Sequence, residues 1–258
     1  MGWSYEDWRG PFYSAGLPMS RALDEYGKIF DTVEIDSTFY GVPRPSTLDS
    51  WAAQVPPDFL FSAKVPRAVT HERRLIGAGE AALEFGHLLR DRLGDRLGAL
   101  LVQLPPDFSD AERAALDTFI ETVAGPRGEP GLPWVVEFRH AGWAQINAAN
   151  ELEARGVALA TTERLDVGGA LRYVRLLGDE GSVKRFDERI QVREDDLTAW
   201  AERINQARTE RDPDAPPILV YVRNFFEGHA PATILDLRAR LGLPVPTPPG
   251  KQQMRLFE

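Results

Sequence analysis

A chain of 258 residues is long enough for one β/α barrel of roughly 250 residues, and its 43% hydrophobic content is ordinary for a packed domain. It has no cysteine, which excludes disulfides, thiolate metal sites, iron–sulfur clusters and cysteine nucleophiles. A net charge of −9 argues against a broad phosphate-binding face but permits a local cationic pocket, because a cleft focuses the field of its nearest charges.

The first ten residues, MGWSYEDWRG, lack the basic segment and apolar run of a signal peptide, and no stretch reaches the roughly 18 apolar residues that span a bilayer. A cytoplasmic location, away from membranes, is the resulting expectation. A helical pattern covers 20–29. The run TVEIDST from Thr32 then reads as a strand, and Ser46 precedes an amphipathic set of Leu48, Trp51, Ala52 and Val55. A second run, FLFSAKV from Phe59, is followed by a helical pattern over 78–93. After GALLVQLP from Gly98, Ser109 and Glu112 form a capping-box pattern ahead of Leu116, Phe119, Ile120 and Val123. WVVEFR from Trp134 precedes a helix over 145–155, VALATTE begins at Val157 and YVRLLG at Tyr173. A helix over 194–207 leads to PILVYVRN from Pro217, and a last helix covers 231–241.

Near-continuous apolar runs of this length are strands buried on both faces, and their alternation with helices implies a parallel sheet with helices outside. The fold class is therefore α/β, a parallel (β/α)8 TIM-type barrel. Closure is preferred to an open sheet because no Gly-rich phosphate loop follows an early strand. Only seven strands are visible, so the first, ahead of Trp3, is truncated or missing. Residues 1–243 form a single domain, and 244–258 form a Pro-rich tail expected to be flexible.

Alternate residues of a strand share a face. Glu34 and Asp36 therefore point together, as do Ser62 with Lys64 and Glu137 with Arg139. The apolar faces meet the helices, so these charges turn into the barrel. Gln103, Arg175, Arg223 and Asn224 lie at or near other strand ends. The carboxyl ends of the strands are where such barrels hold their sites. A structural ion-pair network closing the barrel top is the competing explanation. The following loops add Tyr40 and Arg44, then Arg67, His71, Glu72, Arg73 and Arg74, then His140 and Trp143. Trp3, Tyr5 and Trp8 are expected at the same rim, to stack on a planar ligand or simply to cap the barrel.

The segments GWSYEDWRGPFY, VEIDSTFYGVP, FLFSAKVPRAVTHERRL, LLVQLPPDF, VVEFRHAGW and EGHAPAT, in this order, resemble the signatures of the YecE-like family, a bacterial and archaeal domain of unknown function. The resemblance runs over nearly the whole chain and implies a TIM barrel. It implies no reaction. Where that family carries Arg-Leu-His-Gly, this chain has Arg175-Leu176-Leu177-Gly178. Where the family carries Phe-Asn-Asn-His, it has Val222-Arg223-Asn224-Phe225. Two histidines are thus replaced and one cation is gained. In the tail, Gln253-Met254-Arg255-Leu256-Phe257 resembles the bacterial sliding-clamp-binding pentapeptide, so Gln253, Met254, Leu256 and Phe257 are candidate partner contacts.

Three readings of the pocket follow. In the first, an enzyme takes a small anionic or nucleic-acid-like ligand. Lys64, Arg139, Arg175 and Arg223 hold its phosphate, Glu34 or Glu137 acts as base, and His71 or His140 as acid. In the second, a glycoside-type hydrolase uses Glu34 and Glu137. In the third, the barrel binds an anion without turnover. A mixed carboxylate–imidazole metal site would draw on His71, His140 and His229, whereas His87 lies in a helix. No motif names a cofactor.

Overall fold

The seven apolar runs form seven strands: β1 (Thr32–Ile35), β2 (Leu60–Lys64), β3 (Leu97–Gln103), β4 (Trp134–Glu137), β5 (Ala158–Thr162), β6 (Tyr173–Leu176) and β7 (Leu219–Val222). They pair in parallel in sequence order, β1 to β7. The structure is a computed structural model, which describes residues 1–125, 131–145 and 148–250. The clamp-like residues 253–257 lie outside that description.

Helices α1 (Ala22–Gly27), α2 (Pro45–Ala53), α3 (Gly79–Leu93), α4 (Arg113–Ala124), α5 (Ala148–Glu153), α6 (Glu194–Glu210) and α7 (Ala230–Arg240) surround the sheet. The capping box before α4 forms, with the Glu112 carboxylate accepting the Ser109 N–H at 3.2 Å. Helix α2 starts slightly earlier than expected. Pro45 sits in its first turn, where its missing N–H costs nothing, and Arg44 precedes it.

Two apolar cores follow from strand alternation. The outer one lies between sheet and helices and includes Val33, Ile35, Phe61, Leu100, Val102, Val136, Val174 and Val222. The inner one fills the barrel with Met1, Ala99, Leu101, Val135, Ala160, Tyr173, Leu177, Leu219 and Tyr221. The barrel is thus a packed core below and polar above, the division on which its upper mouth depends.

The barrel is nearly closed. No strand hydrogen bonds join β1 to β7, where an eighth strand would lie. Met1 and Gly2 span only the top of this seam. The Met1 ammonium donates to Val222 O at 3.1 Å, and Gly2 N donates to Glu34 O at 2.8 Å. Inside, the Tyr221 hydroxyl lies 2.7 Å from Thr32 Oγ1 and 2.8 Å from Ser62 Oγ, a side-chain bridge in place of a ladder. Below, a cavity of about 480 Å³ opens between the two edges, α1, α6 and α7, and Tyr26, Phe30, Ile204, Val220 and Leu237 line it.

Residues 244–250 fold back on the N-terminal segment. Pro248 and Gly250 are buried, and Gly250 N donates to Phe12 O at 2.9 Å. Gly178, at the top of β6, has φ +65°, and a Cβ there would lie 2.1 Å from Phe225 O, so both conformation and space require glycine. Among the described residues, no helix is long and apolar enough to cross a membrane.

Candidate functional site

Register sets inward-facing polar residues of neighbouring strands side by side. Glu34 pairs with Ser62, Gln103 with Glu137, and Arg175 with Tyr221. The inward side chains at the top of the barrel then meet. Arg175 donates from Nε and Nη2 to Glu34 at 2.8 Å each, and from Nη1 to Glu137. The Tyr173 hydroxyl donates to Glu34 at 2.6 Å, and Gln103 donates to Glu137 at 2.8 Å. Arg175 is 1% exposed, and Glu34 and Glu137 are wholly buried.

Burial opposes the charge of Glu34, but the Arg175 guanidinium and the Tyr173 hydroxyl outweigh it and hold the pKa below the ordinary carboxylate value. Both oxygens of Glu137 are occupied by Arg175 and Gln103. Glu34, Glu137 and Arg175 thus form a floor of mutually satisfied charges. Removing one member of such a group strands the others, at a cost of about 3–5 kcal/mol.

A second tier stands above this floor. Strand β1 ends at Ile35, and Asp36 adopts αR geometry at the head of a 3-10 turn over Ser37–Phe39. Thr38 ties that turn down by donating to Ile35 O at 2.9 Å and Lys64 O at 2.7 Å. Burial and the charge of Glu34 raise the pKa of Asp36, with Arg175 and Lys64 opposing. Burial and the charge of Arg175 lower that of Lys64. The Lys64 ammonium lies 4.3 Å from the centre of the Phe39 ring and makes no ion pair among the described residues.

His71 meets the edge of the same Phe39 ring, with centroids 4.9 Å apart, and its Nδ1 lies 2.9 Å from Thr70 Oγ1. Burial, then the nearby Lys64, Arg139 and Arg67, push its pKa down to about 4, so it is neutral at pH 7. Arg139 is exposed and also makes no ion pair among the described residues. Arg223 does pair, with Glu180 at 2.5 Å, and lies over Phe225. Tyr5 stands beside Asp36, and burial with that charge raises its pKa to about 12.

Other residues singled out in the sequence have structural surroundings. Trp143 is fully buried, lies near-parallel to Phe138 with ring centroids 4.2 Å apart, and donates to Phe108 O at 2.9 Å. Asn224 is buried, and its side-chain oxygen accepts from Trp8 Nε1 and Ala230 N. Trp3 packs edge-on against Trp51 of α2, and Trp8 is buried among aromatic rings. His140 accepts from Gly142 N at 3.1 Å, and His229 is buried against Trp8. Among the described residues, no three His, Asp or Glu side chains converge as a metal-ligating group.

The structure adds participants that strand alternation does not reveal. Phe39 is the shared surface for Lys64 and His71. Glu163, just beyond β5, accepts N–H bonds from Leu177 and Gly178 and so fixes the end of β6. Glu227 is buried and accepts from Arg189, Arg193 N and Thr233, which holds the end of the long loop after β6. Its place in EGHAPAT and that of Glu163 in ATTE are the only signals the sequence offers for them.

Solved structures support the architecture. A protein from Thermotoga maritima superposes with a TM-score of 0.74 at 23% identity, covering 93% of this chain and 96% of that one. One from Enterococcus faecalis V583 gives 0.67 at 19%, covering 87% and 95%. These two likenesses are of fold. The UPF0759 protein YecE of Escherichia coli K12 is 32% identical over 120 residues, and the match spans 46% of this chain and 42% of that protein. The family model described as "Protein of unknown function DUF72" matches residues 1–254, and the chain belongs to that family.

Proposed function

We propose that the mouth of the barrel binds a phosphorylated ligand, with the phosphoryl group over Lys64 and Arg139 beside neutral His71. Lys64 carries this reading. It is a half-buried, largely desolvated ammonium with an aromatic face beneath it and no carboxylate paired to it among the described residues, and a desolvated charge left in that state is costly unless an anion completes it. Arg139 supplies a planar fork suited to phosphate. Asp36, whose pKa is raised, is the group best suited to give up a proton in a hydrolytic step, whereas Glu34 and Glu137 are held by Arg175.

The occupied state of Glu34 and Glu137 favours a second reading, binding without turnover. One experiment addresses the site and another the chemistry. Titrating inorganic phosphate while following His71 by NMR is expected to raise its pKa from about 4, because an anion favours the imidazolium. Lys64→Met and Arg139→Ala should each weaken binding about 10- to 100-fold, the loss of one charge-assisted hydrogen bond. An unmoved His71 at saturating phosphate would sink the proposal. Phosphomonoester and phosphodiester turnover, compared with Asp36→Asn, then separates the enzyme from the binding module.

A further inference from the structure

The rim of the mouth has an apolar character that phosphate recognition leaves unexplained. Among the described residues, six large hydrophobic side chains are notably exposed: Tyr40, Val42, Ile76, Ile190, Val192 and Val245. The first five lie on loops that leave the carboxyl ends of β1, β2 and β6, so the apolar exposure is concentrated at one end of the barrel. Tyr40 is 80% exposed. Its backbone is nevertheless fixed, since Tyr40 N donates to Ser37 O at 3.1 Å in the turn that Thr38 anchors. Its ring meets Phe39 edge-on at 5.2 Å, and Phe39 presents a face to Lys64. A held, solvent-facing aromatic ring therefore stands one ring away from the unpaired ammonium.

We infer that the ligand is a nucleoside phosphate, its phosphoryl group at Lys64 and Arg139 and its base stacked on Tyr40. The inference rests on the phosphate-binding reading above and adds the class of ligand. Cationic groups with an adjacent exposed ring are the combination by which proteins hold nucleotides without reading base sequence. A simple sugar phosphate would satisfy Lys64 and Arg139 but leave Tyr40 in water. The net negative charge of the chain restricts the ligand to something short enough to lie within the mouth, such as a mononucleotide or a strand end.

The test compares inorganic phosphate, ribose 5-phosphate and adenosine 5′-monophosphate by calorimetry on the full chain, wild type, Tyr40→Ala and Tyr40→Phe. Adenosine 5′-monophosphate is expected to bind about 5- to 100-fold more tightly than ribose 5-phosphate, the value of one stacked base. Tyr40→Ala should erase that difference while leaving ribose 5-phosphate binding unchanged, and Tyr40→Phe should keep it. Equal affinities for the two phosphates in the wild type would overturn the nucleoside assignment and leave the phosphate site standing. A preference for the nucleotide that survives Tyr40→Ala would overturn the role of Tyr40. No binding by any of the three would overturn both this inference and the reading beneath it.

Discussion

Asp36 and Glu34 are two residues apart, yet they meet opposite conditions. Glu34 accepts from Arg175 and Tyr173, and its charged form is favoured. Asp36 faces the negative charge of Glu34 in a desolvated position, and its neutral form is favoured. A carboxyl whose folded pKa is raised binds its proton more tightly in the fold than in the unfolded chain. Its contribution is fully present below the unfolded value of 3.8 and is lost as pH rises toward and through the folded value, so Asp36 favours the fold less at neutral pH than at low pH. Asp36→Asn is expected to raise the melting temperature at pH 7 and to leave it nearly unchanged at pH 3.5. A drop in stability at pH 7 would show that Asp36 is held as a favourable ion. Strand alternation made the inward direction of these carboxylates legible. The partition of partners was not, because Arg175 reaches Glu34 and Glu137 from a strand that is adjacent to neither. Alternation also fails at Phe39 and Tyr40, which sit in and after a 3-10 turn of about three residues rather than on a two-residue pleat.

The loop after β2 shows how an element holds such residues in place. It opens with a π-helical turn over Ala68–Glu72, which carries His71. It then takes two successive non-glycine residues through positive φ, Arg74 at +46° and Leu75 at +68°. Backbone of this kind costs about 1–3 kcal/mol per residue and persists only where the surroundings enforce it. Here the enforcement is Arg74, which donates to Glu112 and Asp107 and lies over Phe108, while Leu75 is buried. Glu112 thus has two duties, closing the capping box of α4 and anchoring Arg74. Glu112→Ala is expected to cost about 1–2 kcal/mol by urea denaturation and to broaden the His71 resonance, whereas Ser109→Ala should touch stability alone. An unaltered His71 in Glu112→Ala would separate the anchor from the site. The capping box could be read from Ser109 and Glu112, since it is local chemistry. The left-handed pair could not, because neither Arg nor Leu favours that region and only distant partners hold them there.

At the scale of the molecule, the seven strands of the described residues close the ring at every joint but one, and each was visible as an apolar run because both of its faces are buried. The shortfall was visible too, as a count. What the count could not show is how the gap is managed, by the Thr32–Tyr221–Ser62 bridge and by the clip of Met1 and Gly2 above it. The Met1 ammonium is desolvated there, and its pKa is lowered by burial and the charges of Arg175 and Arg223, against Asp36 and Glu34. Placing an extended apolar segment of about five residues ahead of Met1 would turn that ammonium into an amide and lay backbone along both open edges. A rise in melting temperature of about 2–4 °C per kcal/mol gained is expected, with no rise for a Gly-Ser segment of equal length. Equal melting temperatures for the two would mean that the seam takes no strand.

That seam also sets how the barrel responds to force and heat. A ring of ladders has no weak joint, but this ring has one, joined by side chains and two residues of backbone. Under load or near the melting point, β1 and β7 should part first and the rest of the sheet should peel from there. Amide exchange would then run fastest at these two strands and slowest at β3 and β4, and the parted edges would be the templates on which chains recruit one another into aggregates.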